Sequence, residues 1–262
     1  MVTALVILDG ASEGPAISPS SLQLAHTPAL DRLAAEGEEG WLTPLADGVP
    51  VGSETAIASL LGWRPDGPVD RAALEAAARG LTPPPGQRVW RIDVGEHRLL
   101  LFAPEPLPPI EAPAGHRVWP DGAVPPQILD ETTVVIGAAG AATGLGRLMG
   151  ARVIIPPGAT GRPGSDLAAK RDAAIAALAD GAQHVVVHIG GPDEAAHARD
   201  RDAKIAAIEQ ADRDVIGPLA RELAPVGGEL RVCPDHGCDP VTGRHVGGPV
   251  PLITWKAPVT VA

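Results

Sequence analysis

Aromatic side chains are scarce in this 262-residue chain, which has no Tyr and a single Phe. Aliphatic side chains and Ala must therefore fill whatever core it builds. Lys is also rare, occurring only at Lys170, Lys204 and Lys256, and no basic stripe relieves the formal net charge of -11. That argues against a nucleic-acid partner, although a local Arg cluster or bound metal ions can still attract an anion. Only two cysteines are present, Cys233 and Cys238. They read as buried or bystander thiols in a reducing cytoplasm, with a short-loop disulfide or shared zinc ligation as the alternatives. No apolar run approaches the ~20 residues that cross a bilayer. Met1 leads straight into an apolar run ending at Asp9, with no basic segment before it. The expected setting is cytoplasmic, away from membranes.

What is present is a βα rhythm. The length suits one core with a smaller inserted lobe. Thr3 to Leu8 (TALVIL) is short, β-rich and apolar, and it stops at Asp9-Gly10. A buried parallel strand delivers a polar residue to the sheet edge in this way. A helix is predicted from Thr27-Pro28, with Thr27 as N-cap, and another after Ser53, over Glu54 to Leu61. The character then changes. A helix over Arg71 to Arg79, two strands (Val89–Val94 and Arg98–Phe102) and a Pro-rich connection from Pro104 to Pro126 suggest a small α+β lobe over 64–149. Strands at Thr133–Ile136, Arg152–Ile155, His184–Ile189 and Glu229–Cys233 alternate with helices, and Val250–Thr254 reads as an edge. The fold class is α/β, a mostly parallel central sheet with helices on both faces, built from 1–63 and 150–262. The glycines between Thr133 and Gly146 lack the G-x-G-x-x-G spacing of a dinucleotide turn, and tight helix–strand packing accounts for them better.

The chemistry-bearing residues stand at strand ends, where such sheets place their sites. Asp9 follows the first strand, Asp193 and His197 follow HVVVHI four residues apart, and Asp235-His236 follow ELRVC, with His245 nearby. Asp-x-x-x-His on one helical turn suits a metal, although a polar helix start with a chance His reads the same way. Three Asp and three His on one edge favour Zn, Mn, Fe or Co over Ca or Mg. Ser53 is either a plain N-cap or a hydroxyl presented to phosphate at a helix N-terminus. Arg71, Arg88, Arg91, Arg98 and Arg117 could grasp a carboxylate or phosphate, or be solvated surface charges. His188 could support a ligand or sit as an interior histidine.

The stretches ILDG, HTPALDRLAAEG, GSETAIASLLGW, PPGATG, HIGGPDEAAH with DAKIAAIEQAD, and PDHGCDP…RHVGGPVPLI resemble the alkaline phosphatase superfamily, and within it the archaeal-type cofactor-independent phosphoglycerate mutases. The resemblance implies an alkaline phosphatase-like core and two divalent metal ions, Mn or Zn. Asp193, His197 and His245 would hold one ion; Asp9, Ser53, Asp235 and His236 would hold the other. Ser53 would be the catalytic nucleophile and carry a phosphoserine. Read from the residues and not from the resemblance, Arg71, Arg91, Arg98 and His188 are the candidates to contact a small phosphorylated acid; the family's Arg and Glu match Arg71 and Glu75 in VDRAALEAA. This sequence departs from the family pattern at Glu54, where the family has Asp, and in the lobe, which is cut down. The implied activity is phosphoglycerate mutase-like. The alternative is a phosphatase or phosphodiesterase acting on a phosphate or phosphonate ester in specialised metabolism.

Overall fold

The computed structural model describes residues 1–15, 17–95, 97–111, 114–119 and 122–258. Residues 112, 113, 120 and 121 of the Pro-rich stretch thus lie outside the described residues. The chain begins β1 (Thr3–Leu8), α1 (Ser21–Leu24), α2 (Pro28–Glu36), β2 (Glu38–Leu42), α3 (Ser53–Leu60) and α4 (Arg71–Ala78). Three strands follow: β3 (Arg88–Val94), β4 (His97–Ala103) and β5 (Arg117–Val118). Next come β6 (Thr133–Ile136), α5 (Ala141–Met149), β7 (Arg152–Ile154), α6 (Leu167–Ala179), β8 (His184–Ile189), α7 (Gly191–His197) and α8 (Arg201–Ala211). A π turn over 212–216 leads into α9 (Gly217–Leu223), and the chain closes with β9 (Glu229–Cys233), β10 (Gly237–Asp239), β11 (Arg244–Val246) and β12 (Val250–Lys256). Among the described residues no helix is long and apolar enough to cross a membrane.

The main sheet has the order β2-β12-β9-β1-β8-β6-β7. β1 is parallel to both β8 and β9, and β6 to β7 and β8, while β12 runs antiparallel to β9 and β2. Alternate residues of the central strands feed opposite faces, as the pleat requires. Ala4, Val6 and Leu8 pack with α2, α6, α8 and α9, whereas Ile7, Val135 and Val186 pack with α3, α4 and α5. Helices therefore cover both faces, and β1 sits in the middle with its carboxyl end free for Asp9.

Four local expectations are corrected. The outermost strand beyond β12 is β2, whose exposed EEGWL sequence carries no buried alternation to reveal it. Thr27 makes no side-chain capping bond to α2. The cap is the Asp212 carboxylate, which accepts from the N–H of Ala29 (3.0 Å) and Leu30 (2.7 Å). The π turn places that residue on α2, where it meets the unsatisfied donors of the first turn. Ser53 is not an N-cap either: Gly52 holds that position, and Ser53 is the first residue of α3. Finally, β6 belongs to the main sheet and α5 packs on that sheet's second face, so 133–149 lie in the core and not in the lobe assigned to 64–149. What stands apart is the sheet β4-β3-β5, joined to α4 through Ala72, Ala76 and Val89.

Close packing of α5 against β6 on one side and α4 on the other explains the glycine-rich stretch. A Cβ at Gly146 would lie 2.7 Å from Val135 Cγ2, and one at Gly144 would run into the Leu74 carbonyl. Arg147 Nη1 adds a bond of 2.9 Å to the Ala77 carbonyl at the end of α4. Because backbone cannot step aside as a flexible side chain can, Gly144→Ala should cost about 1–3 kcal/mol. Urea denaturation would measure it, and unchanged stability would mean that the seam yields.

Candidate metal centre

The parallel strands bring their polar ends together. Asp9 ends β1, His188 stands one residue inside the end of β8, and Asp235-His236 follow β9 after Pro234. α7 starts immediately beyond β8 with Pro192 in its first turn, and it carries Asp193 and His197 on one face. His245 comes from β11, which pairs with β10 so that His245 lies opposite Cys238. Gly10 takes φ +59, and a Cβ there would collide with the Asp193 side chain. Only glycine suits both that backbone and that approach.

All seven residues expected as ligands meet in this place. Ser53 Oγ donates to Asp9 Oδ1 at 3.1 Å and lies 3.2 Å from His236 Nε2. Asp235 Oδ1 accepts from the N–H of Gly10 (3.1 Å) and of His236 (2.9 Å). Asp193 Oδ2 is 3.1 Å from His197 Nε2, and Asp193 Oδ1 is 3.5 Å from His245 Nε2. Donor atoms of Asp193, His197, Cys238 and His245 lie within 4.8 Å of one another, and so do those of Asp9, His188 and Asp235, and of Asp9, Asp193 and His236.

Burial raises the Asp9 carboxyl well above its ordinary value, and the charges of Asp235 and Asp193 add to that. Asp193 is also buried, but the neighbouring imidazoles of His197 and His245 outweigh the burial and hold it far below. The same bond to Asp193 holds His197 protonated well above the usual imidazole range. Burial pushes His188 down to about 4, so it is neutral.

Three observations test whether divalent ions fit. First, Asp193 Oδ1, Asp235 Oδ2 and His188 Nε2 are buried without a hydrogen-bond partner, which is costly unless something else satisfies them. Second, His197 Nε2 and His245 Nε2 face each other at 2.9 Å. Third, the Nδ1 atoms of His197, His236 and His245 lie on the carbonyls of Gly243 (2.9 Å), Gly237 (3.1 Å) and Val51 (3.2 Å). A carbonyl at Nδ1 fixes the tautomer that leaves the Nε2 lone pair for a metal. The residues fit a cation-binding centre.

The family model described as "Metalloenzyme superfamily" matches residues 1–261. The chain belongs to the metalloenzyme superfamily. It is 42% identical over 120 residues to the 2,3-bisphosphoglycerate-independent phosphoglycerate mutase of Methanothrix thermoacetophila, covering 45% of this chain and 30% of that protein. The chain thus spans less than a third of the length of the first curated relatives it matches. With the Methanosarcina barkeri enzyme of the same name the match is 25% identical over 366 residues, covering 99% of this chain and 92% of the other. Among solved structures, the PH0037 protein of Pyrococcus horikoshii shares the fold at a TM-score of 0.78 and 23% identity, covering 100% of this chain and 87% of that one. The cofactor-independent phosphoglycerate mutase of Thermoplasma acidophilum does so at 0.61 and 17%, covering 99% and 91%.

The residues expected to touch substrate divide. Arg71 and Arg98 line a cavity of about 120 Å³ together with Glu54, Glu75, Arg79 and the start of α5 at Gly140. Arg71 makes one loose ion pair, with Glu54 at 3.8 Å, and lies over the Trp119 ring. Arg91 is a correction. It is 3% exposed and held by Glu75 (2.5 Å) and Asp93 (2.9 Å), so its donors serve the lobe. His188 lies deep, with Nε2 3.2 Å from Asp9 Oδ2. Arg88 pairs with Asp70 and Glu105, and Arg117 lies over Trp119. Both cysteines are free and buried, and Cys238 alone joins a donor group. The sequence held no signal for that, because the two three-residue strands that set its register show no alternation.

A protonated His197 must lose its proton before Nε2 can ligate. Its ion pair stabilises the metal-free protein fully below the ordinary imidazole value and is lost as pH rises through the raised one, so metal affinity should rise with pH. Calorimetric titration of the metal-free protein with Mn or Zn at pH 7, in buffers of different ionisation enthalpy, should report release of at least one proton. Identical heats in all buffers would refute this.

Proposed function

We propose that this chain transfers a phosphoryl group from a small phosphorylated acid through a phosphoserine at Ser53, with two divalent ions, Mn or Zn, held by Asp193, His197 and His245 and by Asp9, Ser53, Asp235 and His236. One observation carries the reading. The Ser53 side chain is turned away from capping duty and into the donor cluster, with Asp9 at 3.1 Å and His236 at 3.2 Å. A hydroxyl at a helix start, among carboxylates and imidazoles, has the placement of a nucleophile for phosphate. When bound, the ions would neutralise charge on the phosphoryl oxygens and acidify the attacking hydroxyl.

The protein's own residues orient the reaction. Asp9 receives the Ser53 hydroxyl hydrogen bond and so aims the oxygen. The Ser53 Oγ–P bond forms as the bond from phosphorus to the leaving oxygen breaks, in line. Arg71 and Arg98 border the cavity that begins one residue beyond Ser53, at Glu54, and they suit the carboxylate end of the substrate. The acceptor then takes the phosphoryl group and Ser53 is restored.

The acceptor distinguishes two readings. The match along almost the whole chain to the Methanosarcina barkeri enzyme favours return of the phosphate to a second hydroxyl of the same acid, a phosphoglycerate mutase-like reaction. The small lobe favours water. That alignment runs to 366 residues against the 262 of this chain, so the relative carries segments that this chain lacks. A reduced cover retains a bound intermediate less well, and a phosphate or phosphonate ester could then be hydrolysed.

Incubation of the Mn- or Zn-loaded protein with 3-phosphoglycerate in oxygen-18 water should give 2-phosphoglycerate with unlabelled phosphate. Labelled free phosphate without isomer would select the hydrolase reading. Ser53→Ala should reduce either activity by at least about a thousandfold, and unchanged turnover would refute the nucleophile. Arg71→Ala should raise KM about tenfold with a smaller change in kcat, because a charge-assisted hydrogen bond of that size is lost.

A further inference from the structure

Two of the chain's three lysines, Lys170 and Lys204, are completely buried. Lys204 projects from α8 into the space behind the metal-binding residues. Its Nζ lies 2.9 Å from Glu13 Oε1, 2.6 Å from the Cys238 carbonyl and 3.2 Å from the Ser12 carbonyl. Three acceptors meet the three hydrogens of an ammonium, so no donor is left over. Neither Lys204 nor Glu13 has any exposed side-chain surface. Glu13 also accepts from the N–H of Ser21 at 3.0 Å and from the Ser21 hydroxyl.

The acceptors stand at telling positions. Ser12 lies three residues after Asp9, on the loop that leaves β1. Cys238 lies two residues after His236, on β10, opposite His245. These two segments touch directly, since Cys238 N–H donates to the Ser12 carbonyl at 3.0 Å and Gly237 bridges to Ala11 and Ser12. Lys204 locks that junction from behind. A planar guanidinium could not meet three acceptors converging on one point, whereas a compact ammonium can. In a chain that otherwise uses Arg, this explains why Lys stands here.

We propose that Lys204, paired with Glu13, is the positioning residue of the metal centre: its ammonium fixes the loop behind Asp9 against the strand behind His236 and opposite His245, and thereby sets the spacing of the two ligand groups. It touches no ligand side chain and takes no part in the chemistry. The inference rests on the metal-centre reading above.

The test compares cobalt(II) binding by the wild type, Glu13→Gln and the double variant Lys204→Met with Glu13→Gln. Removing both charges avoids leaving an uncompensated carboxylate in the interior, which is strongly destabilising. Metal-free Tm, cobalt stoichiometry and affinity, and the visible d–d spectrum of the bound ion are measured well below Tm. The double variant should fold, bind cobalt about 10- to 100-fold more weakly and show altered d–d bands. Glu13→Gln, which keeps acceptors around Lys204, should fall between it and the wild type. A folded double variant with wild-type affinity and spectrum would overturn the proposal and leave the metal centre standing. So would a double variant that fails to fold while Glu13→Gln binds and absorbs like the wild type, since the pair would then be structural only. If the wild-type protein took up no cobalt, the metal-centre reading would fall and this inference with it.

Discussion

Concentrated negative charge governs this structure. Asp9, Asp193 and Asp235 converge at the carboxyl ends of three neighbouring strands, and Glu13 lies buried behind them. Carboxylates packed this closely, away from water, oppose one another's ionisation, which is why Asp9 is pushed upward by burial and by its two acidic neighbours. A fold that gathers them must offset the repulsion. Histidines do so around Asp193, and main-chain N–H groups do so at Asp235. The interior ammonium of Lys204 does so around Glu13, and that of Lys170, held on the His188 carbonyl at 2.8 Å, lies near enough to Asp9 to feel its charge. The buried atoms that stay unpartnered, Asp193 Oδ1 and Asp235 Oδ2 among them, mark where such compensation stops and a bound cation would continue it.

That arrangement was legible where local sequence encodes it. Short apolar strands ending abruptly in Asp or in Pro-Asp-His announce their own edge, so the sequence alone puts Asp9, Asp193, His197, Asp235 and His236 on one side of one sheet. The strands of the main sheet other than β2, and most helices, followed from periodicity for the same reason. Features that depend on distant segments were not legible. Asp212 caps α2 only because a π turn, some 180 residues along the chain, places it there. β2 pairs with β12 through its main chain while its side chains remain exposed, leaving no pattern to read. Cys238 enters a donor group through a hairpin register, and Lys204 and Glu13 look like ordinary surface charges in the sequence. Arg91 resembled Arg71 as a candidate anion ligand, yet one is enclosed by carboxylates and the other is nearly free. Both lie over the Trp119 ring, and the difference is that Glu75 and Asp93 reach Arg91 within β3 while Arg71 at the start of α4 meets only Glu54 among the described residues, at 3.8 Å.

The lobe is less separate than its composition suggests. α4 supplies Leu74 to the core beneath the sheet and Ala72 and Ala76 to the lobe, so one helix serves two packing clusters. Its contact with α5 includes Gly144 against the Leu74 main chain, backbone against backbone. Arg71 therefore stands on a helix fixed to the sheet.

The carbonyls of Gly243, Gly237 and Val51 that hold the three imidazoles have one further consequence. At each ring the Nδ1 atom rests on a main-chain carbonyl, so a main-chain contact helps set the rotation of the ring. Where a carboxylate side chain gives a metal-ligating histidine its aim, that support can be lost by one substitution. Here the support has no side chain to lose. Position 51 could vary widely without turning His245, and lineages carrying this scaffold could reshape the surrounding loops for new substrates while the imidazoles keep pointing the same way.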